Sequence, residues 1–393
     1  MKTLPYFLLS LTLPLALFGK IETQVYGYVK LDAQYNSSDT GSTPSPAAVQ
    51  VPLDNNKGLE HGELILDARE SRIGVNLTET FKEIKLLGVV EGDFFTVTGD
   101  ALNSNGRGFR LRHAYARAEW PSEVFMIAGQ TWSTFMNSVI ATANTVDFSG
   151  PVGAASAREP QFRVGYTKTL KKGKRYLVFQ AAVEKQATDN IPNLATEIDT
   201  AQGEGQRYPL FVAKLTSHLK GFMGEVALAG SEDRYTDIDG RTKNKKVWGV
   251  QASLQIKHKR LGLYAHGQRL DGLNRLDGGN LPNVTATLTG VTLNTISIKR
   301  LKSWGWYAGG SWNFTKHLMM NAVYGWELAD RDSIVEDALP TFLYKFTSIH
   351  ANILYEFYDK WQTGIEYERL TVHSFGGENG QVNIAHFALW FFF

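Results

Sequence analysis

Apolar and polar residues alternate with a period of two over most of this chain, in segments of about ten residues separated by turn-forming residues. In the segment 176–185, for example, Leu177, Phe179, Ala181 and Val183 occupy alternate positions. Because successive side chains of a β-strand point to opposite faces, each segment predicts a strand with one apolar face. Sixteen such segments occur between residues 24 and 393, so the sequence predicts an all-β fold.

The connections between these segments are alternately short and long. Short ones include 80–84 and 219–222, whereas long ones include 36–62 and 133–160. An even number of antiparallel strands with this alternation is typical of a transmembrane β-barrel, which closes on itself because lipid offers no partner to a free sheet edge. A soluble secreted β-sandwich is the alternative fold, but it rarely needs sixteen strands or an end as apolar as 387–393. We therefore predict an antiparallel transmembrane barrel of about 16 strands.

The first twenty residues differ from the rest of the chain. Lys2 gives a positive start, an apolar run extends from Leu4 to Phe18, and polar sequence begins at Lys20. This order predicts a secretory signal peptide over residues 1–20, followed by a barrel over residues 21–393. An N-terminal membrane anchor is the alternative, although such an anchor usually has a longer apolar run.

Composition excludes several classes of function. The 393 residues include no Cys, which excludes thiolate chemistry, disulfides and Cys-based metal centres. The 41 basic and 39 acidic residues leave a net charge of only +2, so no general attraction to nucleic acid is expected. Motifs of serine hydrolases, zinc proteases and nucleotide-binding enzymes are absent from the sequence. We predict no enzyme activity, no cofactor and no metal site.

The two faces of the strands predict which side meets lipid. The apolar face includes Leu64, Leu66, Ile349 and Ile353, and it must be apolar because a charge in the middle of the bilayer costs about 2–4 kcal/mol. The opposite face is polar and predicts a water-filled lumen; it contains Asp67, Arg69, Arg72, Gln251, Glu327, His350, Glu356, Glu366 and Glu368. Seven tryptophans near segment ends predict interfacial girdles, namely Trp120, Trp248, Trp304, Trp306, Trp326, Trp361 and Trp390.

Several short stretches resemble a known family of membrane proteins. The chain ends in Phe393 on an apolar strand, as bacterial outer-membrane porins do. The stretches that resemble the DcaP-like porin subfamily are SRIG at 71–74, EGDF at 91–94, RLRHAY at 110–115, GQTWSTF at 129–135, DFSGP at 147–151 and REPQFR at 158–163. The resemblance implies a homotrimeric diffusion channel in the outer membrane lipids of a Gram-negative bacterium. It also implies that the barrel-assembly machinery reads Phe393.

The resemblance further implies passage of small hydrophilic solutes, with a preference for small organic anions such as dicarboxylates. In such porins the third long loop, here about 133–160, folds into the barrel and narrows it. Arginines occur in and beside this loop, and a guanidinium binds a carboxylate through two hydrogen bonds without losing its charge. The predicted pore-lining residues are Arg69, Arg72, Arg110, Arg112, Arg117, Arg158, Arg163, Asp67, Asp93, Asp147 and Glu159.

Alternatives remain open for these residues and for the function. Arg72 and Arg163 can instead pair with wall carboxylates such as Glu91 and hold the barrel together. The alternation breaks within 110–119, which predicts a bulge or bend, unless one set of charges faces the headgroups. A general, weakly selective porin is the alternative channel, and an outer-membrane lipid hydrolase or a surface adhesin is the alternative from another class.

Overall fold

The computed structural model describes residues 21–41, 44–96, 108–140, 143–171, 175–185, 204–236, 242–277, 280–289, 295–334 and 340–393. The signal peptide predicted for residues 1–20 lies outside these ranges. No helix in the described ranges is long and apolar enough to cross a membrane.

The described chain consists mainly of β-strands, with short 3-10 turns in some connections. The strands are β1 (Glu22–Asn36), β2 (Glu63–Asp67), β3 (Arg72–Phe81), β4 (Ile84–Asp93), β5 (Arg110–Glu119), β6 (Val124–Trp132), β7 (Arg158–Lys171), β8 (Arg175–Glu184), β9 (Glu204–Gln206), β10 (Leu210–Leu219), β11 (Phe222–Thr236), β12 (Thr242–His258), β13 (Leu261–Asp271), β14 (Val284–Thr289), β15 (Thr295–Arg300), β16 (Lys302–Asn313), β17 (Leu318–Ala329), β18 (Leu343–Tyr358), β19 (Trp361–Ser374) and β20 (Asn379–Phe392).

The strands close into one antiparallel barrel. Neighbours along the chain pair with one another, and the last strand β20 pairs with the first strand β1. Strands β2 and β3 both pair with β1 and form one interrupted wall strand, and β9 and β10 both pair with β11 in the same way. Strands β14 and β15 form a separate hairpin. The wall therefore has sixteen positions, which confirms the predicted fold.

Two predicted strands are interrupted where local hydrogen bonds replace the ladder. The predicted strand 63–77 breaks at 68–71, because the Asp67 carboxylate accepts the Arg69 backbone N–H at 2.6 Å and forms a turn. The predicted strand 297–313 breaks at Leu301, whose N–H bonds to the carbonyl oxygen of Asn283 at 2.9 Å.

The alternation places side chains as the sequence predicts. Leu66 is 64% exposed on the outer face, whereas Gln251 is 1% exposed on the inner face. One tryptophan departs from the predicted girdles: Trp390 is 9% exposed and faces inward, where the Lys30 ammonium lies 5.0 Å from its ring. The reason is its register on β20, since it shares a face with the buried His386 and Ala388.

Two of the long connections fold into the barrel. The segment 133–157 reaches wall residues on the far side of the lumen, because the Val152 N–H bonds to the Ser348 hydroxyl at 3.1 Å. The segment 37–62 also turns inward, and its Ala48 and Val51 pack against wall residues such as Leu370. Residues 37–62 were predicted only as a long loop, so this second inward segment is a finding of the structure.

Candidate functional site

The segment 133–157, hereafter the inner loop, is fixed to the wall by carboxylates at separate positions around the barrel. On β8, Glu184 accepts the Thr134 N–H at 2.7 Å. On β11, Glu225 accepts the Ser138 N–H at 2.7 Å. Backbone groups buried away from water need such partners, and bonds to a charged acceptor are stronger than neutral ones. These carboxylates therefore hold the first part of the inner loop in place.

A third carboxylate holds the middle of the inner loop. Glu366 on β19 accepts the N–H of Val146 at 2.8 Å and that of Asp147 at 3.2 Å. Close to this point, the Lys30 ammonium donates to the Val146 carbonyl oxygen at 3.0 Å. Since β19 is far from β8 and β11 in the strand order, the inner loop crosses the lumen.

A cavity of about 650 Å³ lies between the inner loop and the wall. Four arginines line it, namely Arg72, Arg110, Arg112 and Arg158. Three carboxylates and one lysine also line it, namely Glu70, Asp147, Glu368 and Lys30. Cation and anion groups thus both reach this space, which we call the constriction cavity.

Two wall carboxylates, Glu91 and Asp93, form ion pairs with three of the arginines. Arg110 donates from Nε and Nη2 to the two oxygens of Asp93, both at 2.8 Å. Arg112 bridges Glu91 at 2.7 Å and Asp93 at 2.9 Å. Arg72 lies 3.6 Å from Glu91, as an ion pair without a hydrogen bond from its Nε. Paired in this way, the guanidinium planes of Arg110 and Arg112 have fixed directions.

Arg158 differs from these three. No described carboxylate forms an ion pair with it, and its Nη1 is buried without a hydrogen-bond partner. Its guanidinium lies 4.4 Å from the centre of the Trp132 ring, a cation–π contact that holds it in position. Four guanidinium groups therefore face two carboxylates on this side of the constriction cavity, which leaves an excess of two positive charges.

Aromatic rings cover the paired arginines. The guanidinium carbon of Arg110 lies 5.2 Å from the Phe95 ring centre, and that of Arg112 lies 5.5 Å from the Phe148 ring centre. Phe95 and Phe148 stack on each other at 4.7 Å. The sequence reasoning assigned these rings no role. The signal that could have found Phe148 is its position next to Asp147 in the inner loop.

The predicted break in alternation within 110–119 is a bulge. Across the β4–β5 pair, Glu91 lies opposite His113 while Gly92 lies opposite Leu111, so Arg112 is the extra residue. A bulge turns two consecutive side chains to the same face. Both Arg112 and His113 consequently face the lumen, where His113 Nδ1 lies 3.0 Å from the Thr131 hydroxyl.

The other predicted arginines lie away from the constriction cavity. Arg69 pairs with Asp67 at 2.6 Å and is 9% exposed. Arg117 pairs with Glu119 at 3.0 Å and lines a separate cavity near Glu22. These contacts are wall pairs of the kind that the alternative reading describes.

Arg163 and Glu159 lie on β7. Arg163 donates to the Trp132 carbonyl oxygen at 2.6 Å and to the Gln180 side chain at 3.2 Å. Glu159 is 7% exposed. Neither residue lines the constriction cavity.

Asp147 lies on the inner loop and reaches the constriction cavity. Its Oδ2 accepts the Gly150 N–H at 2.9 Å, whereas its Oδ1 is buried without a partner. Burial raises the pKa of this carboxyl above its usual value; His350 opposes the change and Glu366 adds to it.

A buried lysine, which the sequence reasoning did not select, also lines the constriction cavity, on the strand next to that of Arg72. Lys30 pairs with Glu70 and lies 2.9 Å from Asp32. His386 on β20 lies 2.8 Å from Asp32 as well. The alternation on β1 places Lys30 inward, and its pairing explains how a lysine that is 1% exposed is accommodated.

Comparison with known proteins identifies a family that matches more than half of the chain. The model of the DcaP outer membrane protein family matches residues 16–252, more than half of the 393 residues. No curated protein sequence matches the chain.

Several solved structures share the fold of this chain. The outer membrane channel DcaP of Acinetobacter baumannii has a TM-score of 0.75 and 20% identity, covering 95% of this chain and 97% of that one. An anion-selective porin from Comamonas acidovorans has a TM-score of 0.60 and 12% identity, covering 95% and 100%. OmpF of Salmonella typhi has a TM-score of 0.57 and 12% identity, covering 94% and 97%. At these identities the likeness establishes the fold.

Proposed function

Since this chain belongs to the DcaP outer membrane protein family and is an outer-membrane porin, we propose that it favours small organic anions, including dicarboxylates. Solutes pass through such a channel by diffusion, without covalent chemistry. The observation that carries the proposal is the excess of two positive charges among Arg72, Arg110, Arg112 and Arg158 in the constriction cavity.

The hydrogen-bond donors of these arginines support a carboxylate-bearing solute. Nη1 of Arg158 and Nε of Arg72 are both buried and lack a partner. Both guanidinium groups line the cavity and are not fully hydrogen-bonded to the wall, so a carboxylate that reaches them gains charged donors. Two such donors in one cavity suit a solute with two carboxylates, because each end can meet a separate guanidinium.

The narrow space strengthens the effect of these charges. A cavity with low-dielectric walls focuses the field of the groups that line it, so a few arginines determine which ions enter. The solved anion-selective porin from Comamonas acidovorans shares the fold, which is compatible with the same preference on this scaffold.

A general, weakly selective porin is the second candidate. The observation that favours it is that three carboxylates, Glu70, Asp147 and Glu368, also line the constriction cavity. Arginines facing carboxylates produce a transverse field that orients polar solutes of either sign. Of these three carboxylates, Glu70 is already paired with Lys30, which reduces the negative field.

We also propose three features of maturation and assembly. Residues 1–20 act as a signal peptide, Phe393 is recognised by the barrel-assembly machinery, and the mature barrel forms a homotrimer in the outer membrane. The main chain of Phe393 bonds to Gly27 on β1 at 3.1 and 3.2 Å, so this terminal residue takes part in closing the barrel.

Liposome swelling tests the preference directly. Purified protein is reconstituted in vesicles, and the swelling rate is compared for an aliphatic dicarboxylate and a neutral sugar of similar size. We expect faster entry of the dicarboxylate. Equal rates would favour the weakly selective porin, and a lack of swelling with either solute would overturn the channel function itself.

A further inference from the structure

Three potential metal ligands meet on two neighbouring wall strands beneath the inner loop. His350 on β18 lies directly opposite Glu368 on β19, and Glu366 lies two residues away on the same face. Their ligand atoms all lie within 4.8 Å of one another. His350 is 0% exposed, and both glutamates are 1% exposed. The sequence predicted no metal site, because it contains no Cys and no known metal-binding motif.

Glu366 orients the histidine. Its Oε1 lies 3.1 Å from His350 Nδ1, and its other oxygen accepts the Asn352 amide at 2.7 Å and the Val146 N–H at 2.8 Å. A carboxylate acceptor at Nδ1 places the proton on that nitrogen, so the lone pair of the ring is at Nε2. Metal-binding histidines are commonly held by a carboxylate in this manner.

The opposite side of the histidine ring lacks a partner. His350 Nε2 and Glu368 Oε2 are both buried without a hydrogen bond, and Nε2 lies 3.8 Å from Glu368 Oε1. The unpaired Oδ1 of Asp147 belongs to the inner loop, and Asp147 lines the same cavity as Glu368. Each unsatisfied buried atom costs about 1–3 kcal/mol, so three together favour a bound ligand.

We propose that His350 Nε2 and the Glu368 carboxylate bind a divalent transition-metal ion, best matched by Zn²⁺, and that Asp147, whose carboxylate lies outside the 4.8 Å cluster, moves toward the ion as a third ligand. Zinc ligands lie about 2.0–2.2 Å from the ion, so two of them lie at most about 4.4 Å apart, and the observed 3.8 Å between His350 Nε2 and Glu368 Oε1 is within this limit. Imidazole with carboxylates suits Zn²⁺, whereas Ca²⁺ and Mg²⁺ take oxygen ligands. The ion reaches the site through the constriction cavity, which Glu368 and Asp147 line.

The site joins the inner loop to the wall. Glu368 and His350 belong to the barrel, whereas Asp147 belongs to the loop. A bound ion therefore adds a link beside the hydrogen bonds that Glu366 accepts from the inner loop, and it stabilises the folded barrel because the unfolded chain does not hold these residues together.

Metal titration of the mature chain, without a histidine tag, tests the site. After treatment with EDTA, the detergent-solubilised protein is titrated with ZnCl₂ and, separately, with CaCl₂ by calorimetry. We expect one Zn²⁺ per chain and a rise in the thermal unfolding midpoint with Zn²⁺ concentration. His350→Gln and Glu368→Gln should each weaken binding at least tenfold, and Glu366→Gln by about 10–100-fold, as loss of an orienting carboxylate does.

The matched control is His266→Gln. His266 is also a buried lumen histidine, but its ring contacts Ser253 and Gln268 instead of a carboxylate. This variant should bind Zn²⁺ like the wild type. Absence of stoichiometric Zn²⁺ binding by the wild type, tighter binding of Ca²⁺ than Zn²⁺, or wild-type affinity in both His350→Gln and Glu368→Gln would overturn the proposal.

A second measurement covers variants that fail to fold. Crystals of the wild type grown with ZnCl₂ should show an anomalous peak between His350 Nε2 and Glu368 at the zinc edge, and the absence of that peak would also overturn the site. Both readouts measure bound metal. The metal site can therefore be refuted while the proposed anion preference stands, and the anion preference can be refuted while the metal site stands.

Discussion

Arg158 makes the electrostatic argument testable, because it is the cavity arginine without a described carboxylate partner. Arg158→Gln removes one positive charge but retains a shorter polar side chain that ends in a planar amide. The excess charge of the four arginines over Glu91 and Asp93 falls from two to one. Because the ion pairs of Arg110 and Arg112 do not involve Arg158, the wall behind them should stay intact.

The size of the effect follows from Coulomb's law. For an anion about 5 Å from the guanidinium, in a water-like dielectric of about 80, the lost attraction is about 0.8 kcal/mol, or about fourfold in permeability. A dianion loses about twice that free energy, or roughly 16-fold. We therefore expect Arg158→Gln to reduce dicarboxylate permeability more than chloride permeability.

Reversal potentials in planar bilayers measure this difference. Recordings are made in gradients of a chloride salt and a dicarboxylate salt, at low and high ionic strength. The Debye length falls from about 30 Å at 0.01 M to about 3 Å at 1 M, so the effect of the substitution should nearly vanish at high salt. Arg117→Gln is the matched control, because it removes the same charge from a separate cavity.

Two outcomes would refute this reasoning. The first is an equal shift of the reversal potential in Arg158→Gln and Arg117→Gln, which would mean that total lumen charge matters and the constriction cavity does not. The second is a shift that persists unchanged at 1 M salt.

Three further predictions concern the barrel and the inner loop. Ile349 is 42% exposed on the outer face, so Ile349→Arg should destabilise the barrel in lipid by about 2–4 kcal/mol in urea unfolding; an unchanged midpoint would contradict the assigned lipid face. Gly153 has φ +80°, and an added Cβ would lie 2.5 Å from the Trp326 carbonyl oxygen, so Gly153→Ala should displace the inner loop and alter single-channel conductance. Wild-type conductance in that variant would mean that the loop does not limit the current. Deletion of Phe393 removes its two main-chain hydrogen bonds with Gly27, so the fraction of folded, heat-modifiable barrel should fall in an electrophoretic assay, and an unchanged fraction would show that closure does not need this residue.

The wall of the barrel could be predicted from sequence, because the face to which a side chain points depends only on its position within its own strand. The side-chain period of a strand is two, and only one face can tolerate lipid, so Leu66 and Gln251 could be assigned to opposite faces without knowing their neighbours. The bulge at Arg112 was predictable for the same reason, since a charge on the lipid face is costly.

The interior could not be predicted in the same way, because it depends on contacts between distant residues. Val51 of the segment 37–62 packs in one cluster with Leu370 and Val372, more than 300 residues away in the chain. Loop composition alone does not show that such a segment turns inward. The ends of the inner loop were placed within a few residues, but its attachment to Glu366 depends on a partner about 220 residues away.

In the candidate site too, some features could be predicted from sequence and others depend on contacts in the folded chain. The sequence predicted that arginines line the pore. Of those predicted, the ones that line the constriction cavity are Arg72, Arg110, Arg112 and Arg158. Which of them has free hydrogen-bond donors depends on pairing. The charge a solute meets is thus a property of the folded arrangement, and a count of arginines in the sequence overestimates it.

The anion preference and the metal site both involve the carboxylates that line the constriction cavity. Anion preference requires that the carboxylates opposite the arginines exert little negative field, and Lys30 already pairs with Glu70. Glu368 and Asp147 form no ion pair with a described lysine or arginine, and a divalent ion held between them would offset both negative charges. Metal binding would then do more than fix the inner loop, because it would leave the arginine side as the dominant field in the cavity. Removal of the metal should accordingly weaken anion preference in the wild type and have a smaller effect in Glu368→Gln, which should bind the metal at least tenfold more weakly.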